Sequence, residues 1–467
     1  MKTVHSFSFW LLIGCCFSAL YGQEKTSAVI AHFSKATHLQ WAVPTPQGSL
    51  PLDWVERHNT LSSEGYRSFV AYHEGVFSGS ISMNDTTLSG EVWQDGHTYS
   101  LSDDKGQLKV SPQELHTSCE ACANGATSQR AMLPTRLAPG TILAEESLPS
   151  EDKRVLYNVH VLRTFRLAML IDYSFYKGHC QGRMELAKAF MTDVQTKLNE
   201  VCGRELGYQF ELVDDARLIR DTKEKEVYPD KPLVRTVVNT ATDAFNKLIG
   251  EENYDAGIVF SVYKDNRGLA HLGEITGKLK GGCVANEEFY IILHELGHLL
   301  GSAHTFTIGG ATASSFTEPD RGNSIMSYIN DPYGTYFSLP SIYTIHNRTN
   351  LHDAYYTDKV RTQLVGLPQP NIPYGEPSDN KAPMIDRSKL KKSYTLPPNT
   401  YFQFTIEASD PDGDPLLYMA HQADFKVFGK ARFPSDRPTT NNKIAFYRPY
   451  TKDNNTNEWK EVPYKFT

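Results

Sequence analysis

The segment HELGHLLGSAH, His294 to His304, carries three histidines and a glutamate at spacings that suit metal chemistry. On a helix His294 and His298 stand one turn apart on one face, the spacing two imidazoles need to reach one ion. Glu295 lies beside that face, where its carboxylate reaches a water on an open metal position. Gly297 costs about 1 kcal/mol relative to alanine inside a helix, so something other than helix stability favours it. Gly301 can take positive φ, end the helix and bring His304 back as a third ligand. Three neutral imidazoles with one open position describe a catalytic zinc, whereas a structural zinc is closed by a fourth side chain, usually cysteine. His-Glu-x-x-His also arises by chance in helices. Gly301, His304 and the apolar face Phe289, Ile292, Leu293, Leu296, Leu299 and Leu300 favour a metal site over a merely buried helix.

The elements that must hold this segment can be traced upstream. VLRTFRLAMLIDYSFY, Val161 to Tyr176, predicts a buried strand. Apolar spacing predicts a helix from Met184 to Val201, stopped by Gly203 and Gly207. FELVDDARLI predicts a strand, VVNTATDAFNKLIG a helix and YDAGIVFSVY a further strand, and this alternation suggests a mixed sheet carrying helices. A glycine-rich loop, Gly277 to Gly282, leads into the histidine helix. Before this region, GSISMNDTTLSGEVW and QDGHTYSLSDDKGQLKV alternate like hairpins of a β-rich domain. A polar stretch from Asn124 to Arg154 reads as a cleavable linker. After about Val360 a second linker, PQPNIPYGEPSDNKAP, precedes alternating segments that predict a small β-sandwich.

The 467 residues, 40% hydrophobic and 22% charged, suffice for two or three globular domains. A net charge of −7 without a block of like charges argues against a nucleic-acid partner. MKTVHSFSFWLLIGCCFSALYGQEK has the layout of a signal peptide, and no apolar stretch is long enough for a membrane span. Secretion to the outside of a bacterial cell is expected. LIGC, Leu12 to Cys15, also resembles a lipobox, so a lipid anchor at Cys15 is the alternative. Removing Cys15 and Cys16 leaves five cysteines, at least one of them free, metal-bound or paired outside the chain. Cys180 and Cys202 flank a helix that would hold them roughly 30 Å apart, so Cys283 with one of them is the expected pairing.

HELGHLLGSAH resembles the extended zinc motif of the metzincins, and EPDRGNSIMSY, Glu318 to Tyr328, resembles their Met-turn segment. With RTFRLAMLIDYSFY, YDAGIVFS, GLAHLGEITGK and GTYFSLPSI, these are similar to the reprolysin-like peptidases secreted by bacteria, relatives of the adamalysin and ADAM catalytic domains. The resemblance spans about Leu156 to Val360. It implies His294, His298 and His304 as zinc ligands, Glu295 as general base and Met326 as a hydrophobic floor. Tyr328 would either touch the zinc or the oxyanion, or form a wall of the specificity pocket, which residues from Thr335 to Ile342 would border. Cysteines that many relatives carry after the GLAxLG stretch and beyond the Met-turn are missing here, which puts the disulfide scheme in doubt.

The expected class is therefore α+β and multidomain. A signal peptide (1–22) and a β-rich propeptide (23–150) precede a metzincin domain with a mixed twisted sheet and long helices (156–362). A linker (363–380) and a cadherin- or Ig-like β-sandwich (381–467) follow. In SCEACANG, Cys119 or Cys122 would occupy the fourth zinc position and keep the enzyme latent, as in the cysteine switch of related zymogens; a local disulfide is the other reading. Asp410, Asp412 and Asp414 in DPDGD, with Asp424, suit calcium, or simply an Asp-Gly turn. The function this implies is a secreted zinc endopeptidase, acting on protein or peptide substrates through a zinc-activated water. An adhesin that uses the metal domain as scaffold and adheres through its C-terminal domain is the alternative.

Overall fold

The computed structural model describes residues 24–94, 97–113, 161–265, 267–305, 318, 323–327, 335–350, 371–390, 402–418, 443–446, 450–452 and 459–461. Cys119, Cys122, Tyr328 and Asp424 lie outside them, as do residues 1–22.

A helix, α1 (Thr26–Phe33), precedes seven strands: β1 (His38–Thr45), β2 (Gly48–Arg57), β3 (Arg67–His73), β4 (Val76–Met83), β5 (Leu88–Gln94), β6 (His97–Asp104) and β7 (Gln107–Gln113). They pair antiparallel in sequence order, as short hairpins with Gly and Asn turns should. Period-two alternation gives this sheet two buried faces. Phe69, Ile81 and Val92 pack with Trp54 and the fully buried Phe33 of α1. Val70, Phe77 and Trp93 point the other way, into the core of the following domain.

That domain begins with β8 (Val161–Ile171), followed by α2 (Tyr173–Gly178), α3 (Met184–Leu206), β9 (Tyr208–Leu212), α4 (Val234–Ile249), β10 (Ala256–Phe260), β11 (Gly268–Ala270), β12 (Cys283–Ala285), α5 (Phe289–Leu300) and α6 (Leu339–Thr349). β8 pairs parallel with β9 and β10, β10 pairs parallel with β12, and β11 closes the edge antiparallel. This is the expected mixed sheet with helices. The second strand of the domain, β9, is shorter than FELVDDARLI suggested, because the second half of that stretch turns into a 3₁₀ helix, Ala216–Leu218.

The helix expected to end at Gly203 continues to Leu206, and only Gly207, left-handed at φ 68°, stops it. A Cβ at Gly203 would meet nothing nearer than Tyr208 O at 3.8 Å, so that glycine neither bends nor ends the helix. Fifteen of the 23 residues of α3 are buried, because it lies between the N-terminal sheet and its own sheet.

The stretch read as linker, 363–380, lends β13 (Glu376–Pro377) to the edge of β8, and Ile372 is buried beside it. Further on, β14 (Met384–Ile385) pairs with β16 (Ala408–Ser409), β15 (Phe402–Thr405) with β17 (Lys443–Phe446) and β18 (Tyr450–Lys452) with β19 (Trp459–Glu461). Three two-stranded ladders are what the described residues form here, where a β-sandwich was expected. Among the described residues no helix is long and apolar enough to cross a membrane.

Candidate metal centre

All six predicted apolar positions of α5 are buried, each contributing on the order of 1.5–3 kcal/mol. That anchorage turns the opposite face, with His294 and His298, toward the chain that follows. The two rings stand 4.7 Å apart between centroids and perpendicular. Gly301, at φ 118°, ends the helix with its amide donating to Gly297 O and His298 O. The turn returns His304, whose Nε2 lies 3.2 Å from His294 Nε2 and 3.1 Å from His298 Nε2.

The other ring nitrogens decide what this cluster is. His294 Nδ1 donates to Ile325 O at 2.6 Å, and His298 Nδ1 donates to Ser302 O at 2.7 Å. Both Nε2 atoms of neutral rings then present lone pairs inward. His304 can donate to one of them at most, so the trio is repulsive unless a cation sits between the nitrogens. Tetrahedral ligands about 2.0–2.1 Å from zinc stand about 3.3 Å apart, close to the separations seen. Burial first, then the charge of His298, pushes the His294 pKa down to about 3. Burial and both neighbours push His304 well down, and burial lowers His298 against the charge of Glu295. All three rings are neutral near pH 7, the form that binds a metal. The donor set fits zinc.

Glu295 is fully buried beside the trio, under the edge strand β11. A Cβ at Gly268 would lie 2.7 Å from Glu295 Cγ, so the strand crosses the carboxylate at a distance only glycine allows. Met326 is fully buried against Gly297, where an added Cβ would sit 2.4 Å from its Sδ. This contact is what favours glycine in mid-helix.

Phe337 packs against the same glycine, and Ile325 N donates to Tyr336 O at 3.0 Å, so this segment lies against the histidine helix and the turn that holds His294. Sequence reasoning missed what fixes that segment. At the end of α3, Arg204 Nη2 donates to Thr335 O at 2.7 Å, and Glu205 accepts from Phe337 N at 2.5 Å. It also missed Arg348, whose Nε donates to Gly273 O at 2.7 Å and whose stem covers Gly301. Ordinary charges on helices gave no signal for either.

Other expected residues lie elsewhere. Asp410 accepts from the amides of Asp412 and Asp414, and Asp412 pairs with Lys381 at 3.0 Å, the bonding of a turn. Among the described residues the histidine trio is the one group of three or more acidic, cysteine or histidine side chains placed to share an ion. The expected pairing of Cys283 with Cys180 or Cys202 is corrected, because all three are buried free thiols. Burial pushes Cys283 well up, and Glu295 adds to it, so it stays protonated and inert.

Residues 161–338 match a reprolysin family described as Metallo-peptidase family M12. No curated protein matches the chain. Among solved structures, metalloproteinase-II from Bacteroides fragilis is 11% identical with a TM-score of 0.40, over 70% of this chain and 96% of that one. A chain from a chaperone-substrate complex is 11% identical with a TM-score of 0.29, over 57% of this chain and 37% of that one. Neither likeness bears on function at these values. With the family matched over the span that holds the trio, residues 161–338 are a reprolysin-like M12 domain, and the chain that carries them is a zinc metalloendopeptidase.

Proposed function

We propose that the chain is an exported endopeptidase, made as a latent precursor, in which Glu295 is the general base. The observation that carries this is the inward-facing trio of imidazole Nε2 atoms, 3.1 and 3.2 Å from one another, with the buried Glu295 carboxylate beside it. Zinc bound there supplies a Lewis acid for the scissile carbonyl and lowers the pKa of water. Glu295 takes the proton released in the attack and passes it to the leaving amine. Met326 packs against the histidine helix at Gly297, and Gly268 of β11 lies against Glu295, which fixes the helix and the carboxylate in place. Tyr328 keeps its two roles, contact with the oxyanion or a wall of the pocket.

Latency is inferred from the N-terminal sheet, which reaches the start of the metal helix through Trp93, stacked on Phe289 at 6.2 Å. A thiolate from Cys119 or Cys122 in the fourth metal position is the chemistry proposed for it. Export rests on the leader-like residues 1–22, with lipidation at Cys15 as the other route. Calcium at the acidic loop, and adhesion through the C-terminal part, rest on the sequence alone.

The test is digestion of an unfolded protein by the zinc-loaded full chain, before and after limited proteolysis within 114–160. Cleavage that appears on nicking and disappears with a zinc chelator supports the reading. A zinc-loaded chain that cuts nothing in either form overturns it.

A further inference from the structure

We propose that Glu318 is a positioning residue of the metal centre, its carboxylate fixing where two of the three imidazoles stand. This deepens the zinc peptidase reading and rests on it. Glu318 is fully buried. Its Oε1 accepts from the amides of Asn323 and Ser324, both at 3.1 Å. Its Oε2 accepts from Ser324 Oγ at 2.5 Å and from Thr305 Oγ1. Those four donors fill the acceptor sites of a carboxylate.

The donors belong to the two segments that aim the ligands. Thr305 follows His304 directly, and its amide donates to Met326 O at 3.1 Å, while Glu318 N donates to Thr305 O at 2.9 Å. Ser324 precedes Ile325, whose carbonyl holds His294 Nδ1 at 2.6 Å. One carboxylate therefore ties the loop segment of the third ligand to the turn that orients the first. His298 is outside this clamp, since its Nδ1 is held by Ser302 O within its own loop. An ordinary loop staple would lower the stability of the chain with and without metal alike. A positioning residue must in addition alter how the metal is held.

The experiment compares the full-length wild type with Glu318→Gln, Glu318→Ala and Thr305→Val. Zinc release to a chromogenic chelator is read with the visible spectrum of the cobalt-loaded chain, kcat and KM on one peptide, and Tm with and without metal. Loss of a group that orients metal ligands typically costs about 10–100-fold in affinity or activity. Glu318→Ala is expected to release zinc faster by that order, to alter the cobalt spectrum and to lower kcat with KM little changed. Glu318→Gln and Thr305→Val should shift the same way, less far.

Lower Tm values in all variants, with zinc release, cobalt spectrum and kcat as in wild type, overturn the proposal and leave Glu318 a loop staple. Should Glu318→Ala not fold, the other two variants decide by the same criteria. A wild-type chain that holds no zinc overturns the peptidase reading and this proposal together. An active zinc-loaded wild type beside indifferent variants overturns only the proposal.

Discussion

At Gly297 a missing methyl group is what the site requires. In an exposed helix Gly→Ala is favourable by about 1 kcal/mol, but here the methyl would meet Met326 Sδ at 2.4 Å and Phe337 Cε1 at 3.2 Å. Gly297→Ala is therefore predicted to destabilise the chain by about 1–3 kcal/mol, read as a lower midpoint in urea unfolding; an unchanged or higher midpoint would contradict the packing described. The sequence exposed this glycine as an anomaly because a helix position has a known propensity cost. Glu318 offered no such signal. A glutamate in a polar loop is ordinary, and its role exists only once Thr305 and Ser324 have been folded around it.

Helices and strands were largely legible where their apolar period was unbroken, as in α5 and α4, and less so where polar residues are buried. On α3 the polar residues Asp193, Gln195 and Lys197 are all buried, which the apolar spacing gives no reason to expect. Their partners, Ser80, Thr60 and Glu91, lie more than a hundred residues earlier, beyond the reach of local periodicity. The docking of α6 on β8 is of the same kind. Arg163 donates to Asn350 Oδ1 at 2.8 Å, which leaves the Asn350 amide nitrogen facing His346 Nδ1 at 3.4 Å. Burial, and after it the charge of Arg163, pushes the His346 pKa down to about 4. The fold thus holds this ring neutral. Its contribution is complete above the unfolded value near 6.5 and is lost as pH falls toward 4, a change of about 3 kcal/mol. His346→Gln is predicted to lose less stability than wild type between pH 7 and 4.5, measured by urea midpoints; parallel losses would contradict the assignment.

On the scale of the whole molecule, the N-terminal sheet and the M12 domain share one core, in which Val70, Phe77 and Trp93 meet α3 and Phe289. Lys197 stands at its centre, 2.9 Å from both Glu91 and Asp193 and 5.0 Å from the Phe289 ring. Burial disfavours its charge, and the two carboxylates together outweigh that and raise its pKa. Asp193, by burial first, is pushed up to about 6. Removing Lys197 leaves two buried carboxylates facing each other, whereas removing the charge of Glu91 leaves the Asp193–Lys197 pair. Lys197→Ala is therefore predicted to cost about 3–5 kcal/mol and Glu91→Gln clearly less, in chemical unfolding of the full chain; equal costs would contradict a shared ion cluster. The separate-domain reading of the sequence could not reveal this shared core, because nothing in one segment's pattern names the surface it will cover.

The most direct test of the central claim is digestion of an unfolded protein by the nicked full chain and its Glu295→Gln variant at equal zinc content. Full zinc occupancy in both, with kcat lower in the variant by about 10²–10⁴-fold, is the result the site predicts. Equal rates at equal zinc would contradict it, for the carboxylate beside the three histidines would then take no part in the reaction.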